Sequence, residues 1–217
     1  MTKELVQGLI DSAGLFYQRG WMWGTSGNLS VRLPGQPLGA AITASGASKG
    51  SMTLADIVVV PKERWGALPF LPEAQGKPSA ETAIHLEVYR RLPEAAAVFH
   101  IHTVASSALS LAAASAHGGV AYLDVDGLEM LKGWGLEWKD GVLRARVPVL
   151  PNREDMGQLA DQFAKLLATP PAVPCILVAG HGMTVWGKDI EETRNHVEIA
   201  EFICQVLWEQ RRSAARP

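Results

Sequence analysis

Apolar residues recur at three- and four-residue intervals through residues 4–19: Leu5, Leu9 and Phe16, with Val6, Ile10, Ala13 and Tyr17 between them. That period predicts an amphipathic helix, which Gly20 stops. Beyond it the pattern shortens to strand-like runs at 29–33, 40–43 and 57–60, separated by a turn at 34–37 and a small-residue loop at 44–50. Residues 61–78 are rich in Pro and Gly and read as irregular. Ser79 is placed to cap a helix running to Arg91, with Ile84, Val88 and Leu92 on one face.

A buried strand follows at 96–104, then a helix over 104–116, a strand at 120–123 and a helical turn at 127–132. Asp140-Gly141 marks a hairpin turn within 138–142. Asn152 is expected to cap a helix to Leu167, and the prolines of 170–174 make a rigid connector. Residues 175–179 read as a buried strand that ends at Gly180-His181-Gly182, with 183–186 continuing beyond it. The last helix, 189–212, presents Val197, Ala200, Cys204 and Leu207 to the core, and Asp189 with Glu192 resembles a capping box. Strands and helices interleave without internal repeats. The expectation is one α/β domain over 1–217, a central β-sheet flanked by helices, with 210–217 as a flexible tail.

Composition narrows the function class. With 47% hydrophobic residues in 217, the chain can bury one full core and does not require two. A formal net charge of −2 and the absence of basic–aromatic interleaving argue against a nucleic-acid partner. Residues 95–123 contain no Asp, Glu, Lys or Arg, a length that would suffice for a membrane span. Histidines, serines and a Gly pair interrupt it, so a buried strand and small-residue helix explain it better. Cys175 and Cys204 have no motif spacing, which excludes a disulfide framework and reads as reduced core thiols of a cytoplasmic protein. The start, Met-Thr-Lys-Glu, has no apolar signal region.

The chemistry begins at His100 and His102. On a strand, alternate side chains share a face, so both imidazoles point the same way and offer paired ligands for zinc or a similar cation. His181, between two glycines at a strand end, is the third candidate, and three protein ligands with an open position characterise a catalytic metal. His85, His117 and His196 read as structural. Two segments, 24–28 and 43–50, carry backbone N–H groups, hydroxyls, the Asn28 amide and the Lys49 ammonium, the inventory of an anion nest. Neither has Walker spacing, and each by itself reads more readily as an ordinary turn. Glu81, in the first turn of its helix, suits a base, a substrate contact, a metal partner or a helix-stabilising carboxylate. Glu129 sits among apolar residues. Burial there would raise its pKa toward neutrality, whereas a solvated charge on a short helix is the plain alternative.

Taken in order, Gly24-Thr25-Ser26-Gly27-Asn28, Thr43-Ala44-Ser45-Gly46, Lys77-Pro78-Ser79-Ala80-Glu81, His100-Ile101-His102 and Gly180-His181-Gly182-Met183 resemble the class II aldolase family of zinc-dependent sugar-phosphate enzymes. The resemblance covers about 4–210. Residues 77–82, 127–133 and 181–187 look most like its dehydratase branch, which acts on a methylthio-substituted ketose phosphate in methionine salvage. It implies the aldolase-like α/β/α fold and one Zn2+ per subunit on His100, His102 and His181. It implies phosphate held near Thr25, Asn28, Ser45, Gly46, Lys49 and Ser79, and a homotetramer with sites near subunit interfaces.

By the same resemblance Glu129 matches the general acid/base of the dehydratases, whereas Glu81 matches the catalytic carboxylate of the aldolases and is read here as a substrate-pocket residue. The expected reaction removes water from a phosphorylated ketose to give a 2,3-diketone. The alternatives are a retro-aldol or 4-epimerase activity using Glu81 at the same metal, and, from another class, a non-catalytic aldolase-like binding module.

Overall fold

The computed structural model describes residues 2–35, 39–62, 77–114 and 118–214. Its centre is an eight-stranded mixed sheet: β1 (Asn28–Leu33), β2 (Gly39–Thr43), β3 (Ile57–Pro61), β4 (Ala97–Ile101), β5 (Ala121–Asp126), β6 (Arg144–Leu150), β7 (Cys175–Val178) and β8 (Gly182–Gly187). The spatial order is β3-β2-β1-β4-β8-β7-β6-β5, and every neighbouring pair is antiparallel except β6–β7. Among the described residues five helices cover it: α1 (Thr2–Gln18), α2 (Thr82–Arg91), α3 (Val104–Ala113), α4 (Met156–Leu166) and α5 (Ile190–Ala214).

The strand pleat explains the layering. Alternate residues enter two separate apolar clusters, as strand periodicity requires. Ala97, Phe99 and Ile101 of β4 pack on one side with Leu9 and Phe16 of α1, Leu109 of α3 and Val197 of α5. Val98 packs on the other side with Ile84 and Val88 of α2 and Leu159 and Phe163 of α4. His100 follows the register of Val98, on the α2 side. The α/β/α expectation is therefore met.

Several boundaries differ from expectation, each for a local reason. Ser79 does not cap α2. It holds the turn ahead of it, its Oγ accepting from the Glu81 N–H at 3.3 Å, and the helix begins at Thr82. Asn152 does not cap α4 either. Asp155 does, its Oδ1 accepting from the N–H of Gly157 at 2.7 Å and Gln158 at 3.1 Å. Strand β6 has no counterpart in the sequence pattern read above, and it contains Pro148. Pro148 falls just ahead of the point where the ladder to β7 starts at Val149.

Residues 183–186 do not prolong β7. The chain reverses at Gly180, which has φ +64°, and β8 returns antiparallel beside β7. The strand expected at 120–123 runs on to Asp126. Helix α5 runs through Ala214, into the stretch read as a tail. The Asp140-Gly141 hairpin holds, with positive φ at both residues and paired bonds between Lys139 and Val142 of 3.0 Å. Cys175 and Cys204 are buried free thiols. Among the described residues no helix is long and apolar enough to cross a membrane.

Candidate metal centre

Register brings the ligands together. Asn28 pairs with His100 across β1–β4, and His100 pairs with Thr184 across β4–β8. His102 lies one residue past β4, tied by its N–H to the Trp21 carbonyl at 3.0 Å. His181 sits in the β7–β8 turn. The rings of His100, His102 and His181 lie with centroids 4.8, 5.0 and 4.7 Å apart pairwise and nearly perpendicular, at 84°, 78° and 88°. Three edge-on imidazoles form a tripod.

Glu81 closes the set. Its Oε1 is 2.8 Å from His181 Nε2 and 3.5 Å from His100 Nε2. One ligand atom from each of the four residues lies within 4.8 Å of the others. His100 Nε2 and His102 Nε2 face each other at 2.8 Å. Three inward nitrogens and a carboxylate oxygen, largely removed from water, are a donor set that fits a divalent cation. A cation would relieve the juxtaposition of lone pairs that hydrogen bonding among them satisfies only in part.

Electrostatics agree with ligand forms ready to bind. Burial, with His100 and His181 adding to it, pushes His102 down to about 3. Burial likewise lowers His100, against the opposing pull of Glu81. Burial alone would raise Glu81. The net shift is well below the usual carboxylate range, because His100 and a hydrogen bond to His181 favour its charge and Asn28 Nδ2 donates to its other oxygen. Neutral imidazoles and an ionised carboxylate are the forms that ligate. Glu81 was expected in the first helical turn. It occupies the N-cap position of α2 and makes no side-chain cap bond, because its carboxylate turns into the cluster.

The expected anion-binding residues share one cavity of about 280 Å³ beside the cluster, lined by Thr25, Asn28, Ser45, Gly46, Lys49, Ser79, Glu81 and His102. Lys49 is only 1% exposed, and its ammonium donates to the Thr25 carbonyl at 3.1 Å and the Ala47 carbonyl at 2.8 Å, holding both loops. Burial lowers its pKa while Glu81 and Asp56 oppose that shift. The second loop is also stitched to the segment before Ser79, through the Ser45 N–H to the Lys77 carbonyl at 2.8 Å. Asn28 Oδ1 is buried without a partner among the described residues, an acceptor still available at the cavity wall.

Glu129 lies elsewhere. Its side chain is 77% exposed and pairs with Lys132 at 2.7 Å, which lowers its pKa. The expectation that burial raises it does not hold in the single chain, because Glu129 opens a short exposed turn (Glu129–Trp134). Topology sets the distance. β5 is four strand spacings from β4, about 19 Å at the usual separation. Ala121 pairs with Val149 near the ligand end, and Asp126 pairs with Arg144 at the far end, so β5 runs away from the cluster.

His85 and His196, read as structural, lie outside the cluster. His85 Nδ1 bonds Ser30 Oγ at 2.7 Å in the core, and His196 Nδ1 bonds the Trp186 carbonyl at 2.8 Å. His117 lies outside the described residues. Two contributors were not anticipated. Thr184 Oγ1 meets His100 Nδ1 at 3.1 Å, orienting that ring. Gly182 lets the turn approach β4, since a Cβ there would lie 2.3 Å from the Ile101 carbonyl oxygen and 2.9 Å from the His102 ring. The Gly on either side of His181 was the available signal for the second. Nothing local marks Thr184, whose role comes from strand pairing.

Comparison with known proteins accords with this arrangement. Residues 7–208 match the family model described as Class II Aldolase and Adducin N-terminal domain. The chain is 39% identical over 200 residues to methylthioribulose-1-phosphate dehydratase of Microcystis aeruginosa, covering 92% of each. It is 38% identical over 205 residues to the protein of that name from Persephonella marina, covering 94% of this chain and 89% of the relative. Among solved structures, L-fuculose-1-phosphate aldolase from Thermus thermophilus superposes with a TM-score of 0.73 at 26% identity over 100% of both chains. YgbL from Escherichia coli, titled a putative aldolase/epimerase/decarboxylase, gives 0.75 at 25% identity over 94% of this chain and 88% of its own. With residues 7–208 matched by the family model and relatives 38–39% identical over nearly the whole length, the chain belongs to the class II aldolase and adducin family.

Proposed function

We propose that the chain dehydrates 5-methylthioribulose 1-phosphate to the 2,3-diketo-5-methylthiopentyl 1-phosphate of methionine salvage, using one Zn2+ per subunit on His100, His102 and His181. The chain is thus a zinc-dependent hydro-lyase of the cytoplasm. The observation that carries the reading is the adjacency of the His tripod and the polar cavity that holds Asn28 and Lys49. The names borne by relatives at 35–39% identity support the substrate.

When bound, Zn2+ would supply Lewis acidity toward a ketone oxygen. The loops at 24–28 and 43–50, with Ser79, bind the C1 phosphate through N–H groups, hydroxyls and the amide, with the Lys49 ammonium beside them. That remote binding fixes the reacting carbons. Glu81 lies against the tripod and lines the substrate pocket. Glu129 takes the C3 proton and returns it to the departing C4 hydroxyl, which leaves as water, and the enol tautomerises to the diketone.

On this reading Glu129 acts on the site of a neighbouring copy, which the four strand spacings between β5 and β4 support. An interface between copies in a homotetramer supplies both the reach and the burial that the isolated turn lacks. Incubation with methylthioribulose 1-phosphate and Zn2+ tests the whole reading: diketone formation supports it, and release of a shorter carbon fragment would instead identify a retro-aldol enzyme. That second reading is favoured by one observation, the position of Glu81 within hydrogen-bond distance of His181.

A further inference from the structure

The three imidazoles are not held alike. His100 has a side-chain partner on its outer nitrogen, Thr184 at 3.1 Å. His181 has none: its Nδ1 is buried without a hydrogen-bond partner among the described residues. Ligating histidines are normally oriented through the nitrogen that does not bind metal. For His181 the orientation must come from the backbone of a turn whose Gly180 adopts φ +64°.

That backbone is gripped from α3. Ser107 Oγ donates to the His181 carbonyl at 3.0 Å, and the Gly180 N–H donates to Ser110 Oγ at 3.1 Å. The two hydroxyls sit on one side of α3 and take opposite ends of the same short turn. Ser110 is fully buried, and its Oγ also donates to the Ser107 carbonyl at 3.2 Å, which fixes the pair to each other.

The helix is itself anchored beside another ligand. Thr103, next to His102, caps α3, its Oγ1 accepting from the Ser106 N–H at 3.0 Å and donating to the buried Glu201 carboxyl of α5. Helix α3 thus spans the distance between His102 and His181 as a rigid strut. Its serines are not among the residues lining the cavity beside the cluster.

We propose that Ser107 and Ser110 are positioning residues that set the His181 turn, and so the third corner of the tripod, in place of the ring contact His181 lacks. The inference rests on the reading of His100, His102 and His181 as a metal site. The test is metal binding by the full-length protein, independent of turnover. Zn2+ affinity would be measured by competition with a chromogenic chelator, and Co2+ would report ligand geometry by its visible spectrum.

Ser107→Ala with Ser110→Ala is expected to weaken Zn2+ by about 10- to 100-fold, the usual effect of removing a group that orients a ligand, and to alter the Co2+ spectrum. Ser107→Thr with Ser110 intact keeps the hydroxyl and should restore both to the unsubstituted values. Thermal unfolding of the metal-free forms separates loss of fold from loss of positioning. Unchanged affinity and spectrum in the folded double Ala variant would overturn the inference and leave the metal site standing. No metal binding by the unsubstituted chain would overturn the site reading, and the inference with it.

Discussion

Glu81 Oε1 lies 2.8 Å from His181 Nε2, so a residue of the turn before α2 meets a residue of the turn between β7 and β8. The contact joins the two sides of the cluster that sequence spacing could not connect. It also makes the two carboxylates of interest separable, since Glu81 is inside the cluster and Glu129 is in solvent.

Removing either histidine of the strand pair should remove the metal. His100→Ala and His102→Ala are expected to purify with far less than one Zn2+ per subunit by elemental analysis. Stoichiometric metal retained in both variants would contradict the ligand assignment.

The carboxylates are distinguished by complementation. Glu129→Gln should keep its metal and lose turnover, and His100→Ala should lose both. If Glu129 serves a neighbour's site, mixed oligomers of the two inactive variants regain about a quarter of full activity, the fraction of sites with both parts intact on random pairing. Failure to regain activity in verified mixed oligomers would rule out action across subunits. If Glu129→Gln stayed active while Glu81→Gln, with metal retained, did not, the aldol-type reading would replace dehydration.

Lys49→Met should affect substrate binding more than metal. Loss of the ammonium frees the Thr25 and Ala47 carbonyls, loosens both cavity loops and removes the cation from the proposed phosphate position. Charged hydrogen bonds of this kind correspond to on the order of 10- to 100-fold in kcat/KM, read here mainly in KM. An unchanged KM would place the phosphate elsewhere.

Gly182→Ala should damage the site sterically. The added methyl meets the Ile101 carbonyl oxygen and the His102 ring, and backbone at that distance cannot yield cheaply. Expected effects are about 1–3 kcal/mol of destabilisation in urea titration together with weakened Zn2+ binding. Wild-type values for both would show that the turn has room that the geometry denies.

His85 gives the metal-free protein an acid sensitivity. Burial pushes its pKa from 6.5 down to about 3. The unfolded chain therefore binds a proton between those values that the folded chain refuses, and stability falls as pH drops from 6.5 toward 3. The loss from this group is on the order of a few kcal/mol. His85→Gln should flatten that slope in urea unfolding followed against pH. Equal slopes in the two proteins would assign the acid sensitivity to other groups.

Much of the site was legible because its rules are local. Strand periodicity places His100 and His102 on one face whatever surrounds them. Composition gives the loops holding Thr25, Asn28, Ser45, Gly46 and Lys49 an inventory of polar groups that ordinary turns also have, and the structure brings those residues to one cavity. The glycines around His181 announce a tight turn. Expectations failed where a local signal had competitors: Asp155 prevails over Asn152 as a cap because its carboxylate reaches two N–H groups.

By itself, then, the sequence determined the α/β class, the shared face of the His pair and the chemistry of the loops, since these follow from periods of two to four residues. Only the tertiary structure decided that Glu81 joins the tripod, that Thr184 orients His100, that α3 grips the His181 turn and that Glu129 emerges at the far end of β5. Each of those depends on which strands are neighbours and in what direction they run, and pairing between distant segments leaves no mark at the spacing of neighbouring residues.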